Sequence, residues 1–277
     1  MARLSLHNIS FSDNELDVTS PKLLNILSYP RYSQPEYKDR IREMESLGIT
    51  SIILGGRTRL NGTQIAGKGC VGIVVKSKAG SKVCALKIRR IDADRNTMDN
   101  EARFHEMANS AGVGPKLMGY TKNLIAMEFV RGPSIIDWLE VDNNNYNYNA
   151  WRSSSNNNNN NNKVTKSKVG NVSRAILEQC FSLDTIGLDH GELSRMARHV
   201  IVSNRPYIID FESASTTRKT SNVTAAAQSI FLYGTVANGV KKVLGAANRE
   251  KVIGALRTYK QTHTRANFDS ALDSLMI

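Results

Sequence analysis

Gly67, Gly69 and Gly72, with Val74 two residues on, spell G-x-G-x-x-G-x-V, and Lys87 follows in the run Cys84-Ala85-Leu86-Lys87. Glycines at this spacing let a backbone turn approach a triphosphate closely, and a lysine on the next strand supplies a cation for the α- and β-phosphates. Two other readings share the same glycines: a hairpin with no ligand, and a dinucleotide-binding turn. The dinucleotide turn requires a helix directly after the loop. Instead, 71–75 and 83–88 are β-rich runs joined by Lys78-Ala79-Gly80-Ser81, which favours a phosphate loop carried on a hairpin.

A second group lies far along the chain. Asp189-His190-Gly191-Glu192-Leu193 precedes the apolar run Val200-Ile201-Val202, and Tyr207-Ile208-Ile209 ends in Asp210-Phe211-Glu212. Phosphoryl transfer needs one carboxylate to accept a hydroxyl hydrogen bond or orient water, and another to hold Mg²⁺ against the phosphates. Glu192 and Asp210 fit those roles in order, with Asp189 a competitor for the first. Read singly, His-Gly-Glu is an ordinary loop and Asp-Phe an ordinary turn. Their position after a glycine loop and a lysine strand gives them weight.

In this order the motifs resemble those of the protein-kinase-like superfamily, and within it the compact atypical kinases: the RIO kinases and the small kinase of the KEOPS tRNA-modification complex. The resemblance covers about residues 50 to 245. It implies an α+β fold of two lobes, an antiparallel-sheet N-lobe and a mainly helical, shortened C-lobe, with ATP and Mg²⁺ as cofactors. By this resemblance Gly67, Lys68, Gly69, Gly72, Val74 and Ala85 surround the nucleotide, and Lys87 contacts its phosphates while paired with Glu101. Met127, Glu128 and Phe129 present backbone to adenine. Glu192 and His190 belong to the catalytic loop, and Asp210 to the metal site.

Three positions depart from the family pattern. Glu192 stands for the usual Asp. Ala197 stands where a metal-binding Asn is expected, so His199, two positions further on, becomes the substitute ligand. Imidazole is a poorer Mg²⁺ ligand than oxygen, which leaves His199 open as a phosphate or structural contact. Glu212 replaces the usual Gly and adds a third carboxylate. No proline follows Pro206, so there is no Ala-Pro-Glu motif, and the 65 residues after Glu212 are too few for a conventional second lobe.

The resemblance implies a serine/threonine protein kinase whose acceptors include its own hydroxyls. An ATPase in ribonucleoprotein or tRNA-modification assembly, a small-molecule phosphotransferase and a nucleotide-binding pseudokinase scaffold are the alternatives.

Elements must position these groups. Residues 1–50 read as a helical extension packed on the first lobe, with Pro35 suited to a first turn, Ile41, Met44 and Leu47 on one face, and Gly48 as the stop. Residues 51–131 read as the first lobe: strands at 51–54, 63–66, 71–76 and 83–88, a helix over 97–110 carrying Glu101, then strands at 116–120 and 124–130. Residues 132–277 form the second, beginning with a short helix over 134–139. Asn dominates 142–162, and that composition predicts a disordered insertion reaching to about residue 168. Helical periodicity returns over 173–183.

The 277 residues carry 37 Lys plus Arg against 25 Asp plus Glu, a net charge of +12 that favours polyanionic partners. Between 241 and 265 the basic residues are Lys241, Lys242, Arg249, Lys251, Arg257, Lys260 and Arg265, against Glu250 alone. That bias suits an RNA or ribonucleoprotein contact as well as it suits a solvated helix face. Cys70, Cys84 and Cys180 show no CxxC spacing, which argues against a disulfide framework or structural zinc and for reduced thiols in the cytoplasm. Residues 1–14 lack a leader's apolar centre, and no apolar run has spanning length, so no membrane is expected.

Overall fold

A computed structural model describes residues 14–140 and 164–277. The fold is α+β, with a seven-stranded antiparallel sheet. The chain divides into two compact units, which among the described residues are 14–99 with Met118–Phe129, and Asn100–Leu117 with 130–140 and 164–277.

The first unit opens with β1 (Glu15–Asp17), a short 3₁₀ turn and α1 (Leu24–Leu27). In α2 (Gln34–Ser46) the Ser33 hydroxyl accepts from the Glu36 N–H at 3.5 Å and Pro35 fills the first turn. That is how a helix satisfies its orphan donors. Gly48, at φ +69°, ends the helical path in a conformation that favours glycine. There follow β2 (Ile49–Ile53), the hairpin β3 (Thr58–Leu60) and β4 (Thr63–Ile65), then β5 (Gly67–Lys68), β6 (Gly72–Ala79) and β7 (Lys82–Arg89). After α3 (Asp99–Ser110) come β8 (Leu117–Tyr120) and β9 (Leu124–Glu128). The sheet order is β1-β2-β6-β7-β9-β8, with β5 on β6.

Period-2 alternation divides this sheet cleanly. Ile73 and Val75 of β6, Cys84, Leu86 and Ile88 of β7, and Leu124 and Ala126 of β9 join one buried core with Leu23, Leu27, Met44 and Ile52. Residues 14–50 pack on this core as a helical extension would, and add a strand that the sequence reading lacked. Their α2 packs Met44 into this core, with Ile41 and Leu47 against it, and β1 is a strand of the sheet itself, paired with β2 from Glu15 opposite Ile53 to Asp17 opposite Ser51.

The second unit contains most of α3, then α4 (Ile135–Glu140), α5 (Lys166–Thr185), β10 (Val200–Val202), β11 (Pro206–Ile208), α6 (Asn222–Ala227), a π turn, α7 (Gly234–Leu244), α8 (Arg249–Gln261) and α9 (Arg265–Leu275). Its core gathers Val169, Ile176, Leu177, Cys180 and Leu183 from α5 with Ile208, Phe211, Tyr259 and Phe268. The expected disordered insertion lies mostly outside the described residues, but its proposed end moves. Val164 is buried, and Thr165 caps α5 by accepting from the Lys168 N–H at 3.2 Å, so Lys166 and Lys168 are helical. Among the described residues no helix is long and apolar enough to cross a membrane.

Candidate functional site

The predicted residues fall into two groups, one in each unit. In the first, antiparallel pairing sets Val74 opposite Lys87 and Ala85 opposite Met127. Directly paired residues share a sheet face, so Gly72, Val74, Ala85, Lys87 and Met127 lie together on the face opposite the core. Gly69 and Gly72 close the loop through a Gly69 N–H bond to the Gly72 carbonyl at 2.8 Å, with Cys70 and Val71 between them. A Cβ on Gly72 would stand 3.2 Å from both Cγ and Cε of Lys87 and 3.0 Å from the Ile88 carbonyl. The Lys87 stem thus runs against the loop's third glycine, and its side chain is buried. At the rim, the Lys76 ammonium lies 5.5 Å from the Phe129 ring centroid.

In the second unit, the antiparallel pair β10 and β11 brackets the polar loops. His190 is fully buried; its Nδ1 accepts from the Glu192 N–H at 3.4 Å and its Nε2 donates to the Ile209 carbonyl at 3.1 Å. Those two bonds select the Nε2–H tautomer of a neutral ring. Burial, and next the nearby His199, push its pKa down to about 4. His190 is therefore placed to orient the loop that carries Glu192 and the strand end that carries Asp210. The Asn222 side chain holds the same loop by accepting from the His190 N–H at 2.8 Å.

Phe211 sits between two imidazoles, with centroids 5.2 Å from His105 and 5.3 Å from His190. Gly114, at φ +84°, leaves the room this ring needs, because a Cβ there would stand 3.1 Å from it. Beside the inward-seated Phe211, Asp210 adopts φ +72°, a region that Asp tolerates better than most residues. Carboxylate oxygens of Asp210, Glu212 and Glu101 all lie within 4.8 Å of one another. An all-carboxylate donor set suits a hard cation such as Mg²⁺. His199 stands outside this set. Its Nε2 faces the Glu192 carboxylate at 4.0 Å, and its buried Nδ1 has no partner among the described residues.

Glu192 is partly exposed, accepts from the Ser213 hydroxyl at 3.3 Å and faces Arg195 at 3.4 Å. Asp189, its competitor for the base role, is consumed structurally: its oxygens take Arg218 Nε at 2.9 Å and the Ser221 N–H at 3.2 Å.

No family model matches the chain. Over 82 residues, 30% of this chain and 71% of the relative, it is 30% identical to the uncharacterized protein MJ1211 of Methanocaldococcus jannaschii. The chain belongs to that protein's family. Membership of the MJ1211 family assigns kinship and no chemistry, so the chemical reading rests on the residues.

Three residues of this MJ1211-family chain escape motif reading: His105, Asn222 and Ser213. His105 carried a signal, lying four residues after Glu101 and so on the same face of α3. Asn222 and Ser213 carried none, because their partners His190 and Glu192 are distant in sequence and are set by tertiary packing.

Proposed function

We propose that the protein is a Mg-ATP-dependent phosphotransferase with a kinase-like, two-lobed fold, transferring the γ-phosphate to a protein Ser or Thr hydroxyl. The observation that carries this reading is the glycine loop lying on the stem of buried Lys87, on a sheet face shared with Val74, Ala85 and Met127 and turned away from the core.

In this reading Lys87 and the loop bind the phosphates, and Ala85 and Met127 lie along the face that receives the base. Asp210 and Glu212, with Glu101, are the residues that would hold Mg²⁺, which when bound neutralises phosphate charge. Glu192 accepts the acceptor's hydroxyl proton; that its carboxylate takes a hydroxyl hydrogen bond is seen with Ser213. His190, locked neutral, orients the Glu192 backbone. Phe211, packed between His105 and His190, positions Asp210.

A nucleotide-binding scaffold is the second reading, favoured by the contacts that Ser213 and Arg195 already make with Glu192. Incubation with γ-labelled ATP, following free phosphate and phosphoprotein together, separates the two. Transfer to protein supports the kinase. Tight binding with neither product supports the scaffold, and free phosphate alone supports an ATPase in which Glu192 orients water.

A further inference from the structure

We propose that Arg90 is a positioning residue that shapes the glycine loop for nucleotide before nucleotide arrives, an inference that rests on the phosphotransferase reading. Arg90 directly follows β7 and ties down both ends of the loop tip. Its backbone N–H donates to the Val71 carbonyl at 2.7 Å, and its Nη1 donates to the Gly69 carbonyl at 3.1 Å.

The guanidinium is itself held. Asp92 takes Nε at 2.9 Å and Nη2 at 2.7 Å in a two-pronged pair, and the Tyr29 ring lies with its centroid 5.4 Å from Arg90 Cζ. Lys68 of β5 places its ammonium 5.3 Å from the same ring. The Tyr29 carbonyl accepts from the Ile91 N–H at 3.0 Å, which fixes the ring's backbone to the segment that carries Arg90.

A glycine turn is conformationally loose, and ordering it on binding would subtract from affinity. With Arg90, Asp92 and Tyr29 in place the turn is ordered beforehand. Lysine could supply the charge but not the fork, so the arrangement is specific to arginine. Because Arg90 and Asp92 are partly exposed, the brace tunes the loop and is not needed to hold the fold.

Cys70, at the loop tip, is exposed, whereas Cys84 and Cys180 are buried, so thiol labelling of the native protein reads the loop alone. In nucleotide-free protein, Arg90→Gln is expected to change the maleimide labelling rate at Cys70 by about tenfold. It is expected to raise the KM for ATP by a similar factor with kcat within about twofold, the pattern of weakened binding with the chemistry intact. Arg90→Lys should fall between Gln and wild type in KM, and Asp92→Asn should add little to Arg90→Gln, because both remove one brace.

An unchanged KM in Arg90→Gln, with wild-type protein turning over ATP, overturns the brace and leaves the phosphotransferase reading intact. If Arg90→Gln fails to fold, a wild-type KM in Arg90→Lys overturns the brace in its place. Wild-type protein that neither binds nor turns over Mg-ATP overturns both.

Discussion

At the scale of single residues, His190 and Glu192 separate structure from chemistry. His190 is buried and neutral with a pKa near 4, below the unfolded value of about 6.5. As pH falls, the unfolded chain takes up that proton first, so the stability His190 protects is complete above about pH 6.5 and declines as pH drops toward 4. At the low end the loss is on the order of 3 kcal/mol. Urea unfolding across this window should show a steeper decline for wild type than for His190→Asn, whereas parallel declines would assign the acid sensitivity to other groups. Glu192→Gln keeps shape and removes the accepting charge. It should lower turnover at saturating Mg-ATP by about a hundredfold or more while nucleotide affinity holds. Equal low rates in Gln variant and wild type would favour the scaffold.

At the scale of elements, the hairpin of β5, β6 and β7 treats its glycines unequally. A Cβ on Gly69 meets nothing nearer than the Gly72 carbonyl at 3.6 Å, an ordinary contact, whereas one on Gly72 presses the Lys87 stem at 3.2 Å. Gly72→Ala should therefore weaken ATP binding more than Gly69→Ala, and should also lower the melting temperature, because its Cβ crowds the Ile88 carbonyl at 3.0 Å, while Gly69→Ala melts close to wild type. Equal losses, measured by equilibrium nucleotide titration, would remove Lys87 from the explanation. If the loop covers phosphates, Mg-ATP should also slow labelling of Cys70. Cys84 stays protected, its thiol pushed up to about 11 by burial.

At the scale of the whole molecule, the net charge of +12 predicts association with polyanions that falls steeply with salt. The structure sorts the cations behind that expectation. Arg265 is spent on Glu178, at 2.8 and 2.9 Å, and on Asp269. Lys241, Lys242, Lys251 and Lys260 are exposed with no carboxylate paired to them among the described residues. Changing these four to Gln should lower RNA affinity and flatten its dependence on salt, by about one unit of slope for each phosphate that is no longer neutralised. Undetectable RNA binding by wild type at low salt would leave the basic face without this partner.

What the sequence determined by itself was local. Glycine spacing and β-rich runs placed the loop and Lys87 on consecutive strands, helical periodicity placed Glu101 on α3 and Leu177 on α5, and an apolar run ending in Asp210-Phe211 marked a strand end. These signals persist because turn, strand and helix preferences act between residues a few positions apart. Only the tertiary structure decided which distant groups meet. It gathered Glu101 with Asp210 and Glu212, set His199 against Glu192, occupied Asp189 with Arg218, and built β1 into the main sheet. Those choices follow from the packing of Phe211 between His105 and His190 and from strand pairing across long stretches of chain. The resulting arrangement depends on shape and burial summed over a whole core, which no short stretch of sequence encodes.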